Sequence, residues 1–339
     1  MRESEVIERL RRIATAPEAR GLRDDVAVLD GFVVTHDTIA EGVHFLPHDP
    51  PASVGWKLVT VNLSDLAAKG ATPAGALLSL TIAGPGEWEL AFLDGIEAAC
   101  ESYGLPLVGG DTIALPVGAP RVLGMTLIGR AGPHVPERAG GQAGDILWLV
   151  GTVGDAAAGL ALLLADANVT GPLIDIYRRP IPQLGAGLAL APQAHAMMDV
   201  SDGLLIDARR MAEASGLSIA IELDPLPLSS AFVAERGQDL KARLFAATGG
   251  DDMRCSAPFL PKSIRQRFVY QLGRGSRALA RWLTPGRGFP SASPASRSNC
   301  RRGLDLSTLG TTIAGYPLRQ WLIGLSGLVS GMTLALLLR

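Results

Sequence analysis

The amino-acid sequence predicts a two-domain chain, α/β followed by α+β, and three observations lead there. Short apolar runs alternate with stretches of helical period up to residue 252. The texture changes near residues 140–150, where AGGQAGD (139–145) reads as a linker ahead of an Ala/Leu-rich second part. A length of 339 residues, 47% hydrophobic and 19% charged, is enough for two domains with a core each. The expected units are residues 1–140 and 145–252, followed by a stretch of different character, 253–339.

In chain order, residues 3–13 form an amphipathic helix with Val6, Ile7, Leu10 and Ile13 apolar. Residues 26–29 and 32–35 are short apolar runs around Asp30-Gly31, a hairpin signal. In the next stretch, SVGWKLVTVNLSDLAAKG (53–70), Val54, Leu58, Val61 and Asp65 recur at helical spacing. One face of that helix is therefore apolar except for a carboxylate, which needs a cationic partner. A strand is expected at 77–83, a helix at 87–103, a strand and turn over LPLVGGDT (105–112), and strands at 121–129 and 146–150. The second part supplies the helix DAAAGLALLLADA, the segment HAMMDVSDGL (195–204), a helix from 202 to 214, a strand at 218–223, and LFAATGGDD (244–252).

Composition excludes several kinds of chemistry. Cys100, Cys255 and Cys300 have neither metal spacing nor a disulfide framework, which indicates a reducing, cytoplasmic setting. MRESEVIERL has no apolar core of a secretory signal. His44 and His48 are four apart, but Pro47 opposes the helix a zinc pair would need. No lysine follows a glycine, so there is no P-loop, and no strand–GxGxxG–helix unit is present.

What remains is carboxylates. Asp25, Asp37, Asp111, Asp199, Asp202 and Asp251-Asp252 flank short apolar runs, at the strand ends and helix starts where side chains converge, and Asp65 adds a further one. Taken singly, Asp202 reads as a helix N-cap and Gly109-Gly110-Asp111 as a tight turn. A convergent oxygen-only set suits a hard cation, Mg²⁺ or Ca²⁺. The glycines of VGGDT and TGGDD let backbone approach phosphate oxygens, so the combination points to phosphoryl transfer.

These residues also carry a resemblance. DDVAVL, VVTHDTIAEGVHF, GWKLVTVNLSDLAAKGA, YGLPLVGGDT, ERAGGQAGD, MDVSDGL and GGDD occur in the order found in thiamine-monophosphate kinases, over about residues 1–252. These kinases belong to a superfamily that includes aminoimidazole ribonucleotide synthetase, selenophosphate synthetase and a hydrogenase maturation protein. The resemblance implies the two-domain aminoimidazole ribonucleotide synthetase-like fold, a homodimer, and ATP-dependent phosphorylation of thiamine monophosphate to thiamine diphosphate. It places Asp25, Thr35, His36, Asp37, Asp65, Asp111, Asp199 and Asp202 at positions that hold several Mg²⁺ ions. Gly110, Arg138 and Ser201 fall at ATP-contacting positions and His44 at one that contacts the thiamine phosphate. His36 stands where the family has Thr, a change that a backbone carbonyl ligand survives, and Arg23 stands where it has Gly. Donor and acceptor are both phosphates, so no general base is assigned and catalysis reduces to positioning and charge neutralisation. Other ATP-using synthetases of the superfamily, and a non-catalytic membrane-associated product, are the competing readings.

The resemblance stops after Asp252. The family continues Tyr-Glu-Leu; here Met253, Arg254 and Cys255 follow, so Arg replaces the substrate-binding Glu, and no match to the family's C-terminal aromatic contact is found. Beyond this point Asp305 is the one acid against 13 Lys and Arg. The Arg/Ser/Pro-rich stretch lacks a nucleic-acid-binding fold and interleaved aromatics, so no nucleic-acid partner is expected. Residues 321–338, which include Trp321, carry no charge over 18 positions, the minimum for a membrane span, and are interrupted by Gly and Ser. Residues 253–339 are accordingly read as a product of a shifted reading frame that leaves the C-terminal domain incomplete and thiamine phosphate turnover impaired. Sequencing the gene checks this: a Tyr-Glu-Leu continuation is expected in another frame after the Asp252 codon, and its absence there refutes the reading.

Overall fold

Asp30 and Gly31 both take positive φ, 46° and 82°, the geometry of a two-residue type I′ turn. They join β1 (Ala27–Leu29) to β2 (Phe32–Ala40) with Leu29 opposite Phe32. The structure, a computed structural model, describes residues 3–251 and, beyond them, the strands 254–258, 277–283, 312–313, 316–317 and 335–337. β2 runs past residue 35 because Val33, Thr35, Asp37 and Ile39 keep the inward side of a period-two pattern. With β3 (Thr72–Ile82), β4 (Leu107–Ala114) and β5 (Val122–Arg130) it forms a sheet in the order β1-β2-β5-β3-β4. All pairings are antiparallel except β3 with β4, which the helix α3 (Glu87–Tyr103) connects as a crossover. α1 (Glu3–Arg11) precedes the sheet.

The expected helix at 53–70 is α2 (Pro51–Ala68), and it differs from the amphipathic element the spacing suggested. From Ser53 to Ala68 every residue but Trp56 is buried, so α2 is a central helix with no solvent face. One side packs on β2, β5 and α3. A Cβ on Gly55 would run into the Phe92 carbonyl and one on Gly95 into the Ala52 carbonyl, so these glycines let the α2 and α3 backbones touch. Ala71 N–H donates to Leu66 O at 2.9 Å across Gly70, closing the helix with a Schellman-type end.

The second sheet is built on β6 (Ile146–Leu149), β7 (Met198–Val200), β8 (Ser218–Glu222), β9 (Arg254–Pro258) and β10 (Arg277–Leu283). Its order is the strand Ala335–Leu337, then β8-β10-β6-β9-β7, antiparallel throughout. The strands on either side of β6 thus come from beyond Asp252. The helices of this half are α4 (Asp155–Ala165), α5 (Pro172–Arg178), α6 (Leu184–Leu190), α7 (Leu204–Ala214), α8 (Ser230–Arg236) and α9 (Leu240–Thr248). α2 also packs against α5, α6 and β7, so one helix serves both halves.

Two local expectations change. Gly109, Gly110 and Asp111 lie inside β4, not in a tight turn. α7 starts at Leu204 behind Gly203, so Asp202 is not its N-cap. No helix among the described residues is long and apolar enough to cross a membrane; apart from the 335–337 strand, the uncharged run 321–338 lies outside them, as does Asp252.

Candidate active site

Three segments distant in sequence deliver carboxylates to one point. Asp25 comes from the loop before β1, Asp65 from the last turn of α2 and Asp199 from the middle of β7. One oxygen of each lies within 4.8 Å of the others. Thr35, inward on β2, donates its hydroxyl to Asp65 Oδ2 at 2.5 Å. Asp37, two residues on, donates its backbone N–H to Asn62 Oδ1 at 2.9 Å. Arg138 pairs with Asp25 Oδ1, while Asp25 Oδ2 is buried and has no hydrogen-bond donor among the described residues.

Among the described residues, no Lys or Arg makes the expected pair with Asp65. Lys69, fully buried at the end of α2, bonds Asp24 Oδ1 at 2.5 Å and the Met197 carbonyl at 2.8 Å, and lies 3.6 Å from Asp25 Oδ2. Arg20 takes the other Asp24 oxygen at 2.5 Å. Burial opposes the Asp24 charge, but Lys69 and Arg20 outweigh it and hold that carboxyl below its ordinary range. Asp65 and Asp199 show the reverse. Burial, then the neighbouring acids, push Asp65 (through Asp199, Asp37 and Asp25) and Asp199 (through Asp25, Asp207 and Asp37) well above it. Asp37 is raised in the same way, by burial and then Asp25.

These acids open into a cavity of about 370 Å³. Of the predicted site residues, Asp25, Asp37, Asp65, Asp199, Ser201, Asp202 and His44 line it. Asp202 pairs with Arg210. The His36 ring lies on the other face of β2, with Nδ1 2.8 Å from Thr126 Oγ1, so only its backbone can serve the site. Gly110 and Asp111 are not brought in. Across the sheet, Asp37 stands opposite Met125, Met125 opposite Leu78, and Leu78 opposite Gly110. Three strand spacings, about 14 Å, therefore separate Asp37 from the row of Gly110 and Asp111.

Residues that sequence reasoning did not assign also take part. Lys57 and Asp251 line the cavity, and Asp207 accepts the Ser201 and Asp202 N–H groups at 3.0 Å each. Burial, then Asp202, raises the Asp207 carboxyl to about 7. The spacing of Lys57 on α2 carries no signal of its partners, which lie at residues 44 and 251.

The sequence model of "AIR synthase related protein, N-terminal domain" matches residues 23–131, and that of the C-terminal domain matches 142–258, past the point where the residue motifs end. Thiamine-monophosphate kinase of Salmonella typhimurium is 37% identical over 273 residues, covering 75% of this chain and 81% of that protein. The Escherichia coli K12 enzyme is 37% identical over 244 residues, 68% of this chain and 74% of its own. The chain belongs to the thiamine-monophosphate kinase family. Among solved structures, AaThiL complexed with AMPPCP and TMP aligns with a TM-score of 0.74 at 29% identity, covering 84% of this chain and 93% of that one. A thiamine-monophosphate kinase fold thus frames the acid cluster, within two AIR synthase related domains.

An oxygen-only donor set with one undonated carboxylate oxygen fits a hard divalent cation. Without a cation, the Asp65 and Asp199 carboxyls bind protons more tightly in the folded chain than in the unfolded one. Stability is then fully present below the ordinary carboxyl value of 3.8 and is lost as pH rises through the raised values. Asp65→Asn removes one of the repelling charges. In chelator, its melting temperature is expected to exceed that of the unsubstituted protein at about pH 8, with the gap closing toward about pH 4. Thermal melts across that range measure it.

Proposed function

We propose that this chain transfers the γ-phosphoryl group of ATP to thiamine monophosphate, giving thiamine diphosphate, by direct transfer between two phosphates. The observation that carries the reading is the buried Asp25/Asp65/Asp199 cluster at the cavity, in a chain of this family. The AaThiL relative, complexed with an ATP analogue and TMP, supports the choice of substrates.

In this reading Asp25, Asp37, Asp65, Asp199 and Asp202, with the Thr35 hydroxyl and the His36 backbone, hold several Mg²⁺ ions. Bound Mg²⁺ neutralises the two phosphate groups and orients them in one pocket. Arg138 is shared between Asp25 and the nucleotide, and Ser201 meets the nucleotide from the loop that Asp207 fixes. His44 takes the thiamine phosphate at the cavity wall. No side chain acts as general base, because a phosphate oxygen is already a nucleophile. Residues 1–140 form the Mg·ATP and dimerisation domain, and residues 145–252 together with β9 and β10 of their sheet form the second domain; the sparse, unpatterned cysteines favour a cytoplasmic setting.

Two copies complete the site. β4 is an edge strand exposed along its whole length, with Leu107, Val108 and Ile113 outward, a surface that a second sheet edge would cover. Gly110 and Asp111, too far from Asp37 in one chain, would then serve the partner's nucleotide.

A coupled assay tests the reaction. ADP formation should require both thiamine monophosphate and Mg²⁺, and Asp199→Asn should lower it by about 100-fold or more. ADP formation independent of thiamine monophosphate refutes the reading. Pairing in trans is tested by subunit exchange. Asp65→Asn and Asp111→Asn should each be inactive alone, and their mixture should recover roughly a quarter of full activity. No recovery between exchanged subunits rejects a shared site.

A further inference from the structure

Among the described residues, Lys57 is the one Lys or Arg on the cavity wall, amid six aspartates: Asp25, Asp37, Asp65, Asp199, Asp202 and Asp251. Its side chain is 3% exposed. Nζ donates to the His44 carbonyl at 2.9 Å and to Asp251 Oδ2 at 3.0 Å, and stands 4.3 Å from the Tyr177 ring centroid. Tyr177 is itself anchored, its hydroxyl donating to Asp49 Oδ2 at 3.1 Å. Asp251 is a non-glycine residue at φ 67°, held there by its N–H to the Ser201 carbonyl at 2.8 Å. Its carboxylate is 31% exposed, ten times more than the lysine it pairs with. The ammonium is therefore buried and fixed, while its carboxylate partner reaches toward solvent and can give way.

The cavity is divided by charge. Asp25, Asp65 and Asp199 make one end anionic; Lys57, paired with Asp251 and bonded to the His44 carbonyl, sits eight residues before Asp65 on α2, about 12 Å along the helix from that end. A dianionic monophosphate entering this space is repelled by the anionic end until cations cover it, and is attracted to Lys57. An ammonium held between a backbone carbonyl, a ring face and a displaceable carboxylate is a preformed phosphate contact.

We infer that Lys57 binds the phosphate of the acceptor, with Asp251 as the counter-ion that occupies its place when the acceptor is absent. This rests on the reading of thiamine monophosphate as acceptor. Lys57 then orients the attacking phosphate oxygen from the side opposite the acid cluster, and its charge lowers the repulsion between the two phosphates. Asp251 competes with the acceptor and sets how tightly it is held.

Calorimetric titration of the full chain with thiamine monophosphate, thiamine and Mg·ATP tests this. Lys57→Met should weaken thiamine monophosphate binding by about 10- to 100-fold, leave thiamine and Mg·ATP binding unchanged, and be partly rescued in Lys57→Arg. Asp251→Asn, which keeps Lys57 and removes its competitor, should bind thiamine monophosphate more tightly. If Lys57 merely bolts the His44 and Asp251 segments together, Asp251→Asn weakens binding as Lys57→Met does, and the inference falls. It also falls if folded Lys57→Met binds thiamine monophosphate normally. Should Lys57→Met fail to fold, the direction of the Asp251→Asn change decides alone. Failure of the unsubstituted chain to bind thiamine monophosphate overturns the functional reading itself, and this inference with it.

Discussion

Three carboxylates held within 4.8 Å of one another, two of them buried, form the constraint around which this fold is arranged. Each would be more comfortable in water, and each raises the energy of the others. Thr35 offers Asp65 a hydroxyl and Arg138 offers Asp25 a guanidinium, but Asp65 and Asp199 have no cationic partner among the described residues and their protons are bound unusually tightly. A structure that keeps such a cluster is less stable than one with an apolar core at the same place. A bound divalent cation would offset the deficit.

α2 makes the cluster possible. A helix exposed on one side could carry Asp65 to only one half of the protein. Buried on nearly every side, α2 places Asp65 between β2 of the first sheet and β7 of the second, so that Asp25 and Asp199 reach it and Asp37 lines the same cavity. Lys69 at its end ties the Asp24–Asp25 loop to Met197, two residues from Asp199. Lys57, three turns earlier, ties the His44 turn to Asp251. The two buried lysines therefore join both halves of the chain on either side of the acids, and neither serves as the counter-ion of Asp65.

Much of this was legible in the sequence. Period and turn chemistry located the hairpin at Asp30-Gly31, the helices 87–103 and 53–70, and the strand at 146–150, because these depend on contacts within a few residues. The acids were legible for a similar reason: repeated Asp beside apolar runs is chemically unusual wherever it occurs. Motifs in a fixed order then identified the family, which the two domain matches and the 37% identical relatives bear out. Local reading failed where burial was set by distant chain. The apolar stripe on α2 suggested a solvent face that the second half of the protein covers, and Gly109-Gly110-Asp111 suggested a turn where pairing with β3 draws the segment into a strand.

The sequence by itself determined the fold class, the family and the residue types of the site, since these follow from local period and from motif chemistry. Only the tertiary structure decided which acids meet. It brought Asp25, Asp65 and Asp199 together and left Asp111 three strands from Asp37, a matter of register across a sheet. It also decided how the cations are spent: Lys69 on Asp24, Arg138 on Asp25, Lys57 on Asp251. Those pairings span 45, 113 and 194 residues, and at such separations no spacing in the chain records which charge will face which.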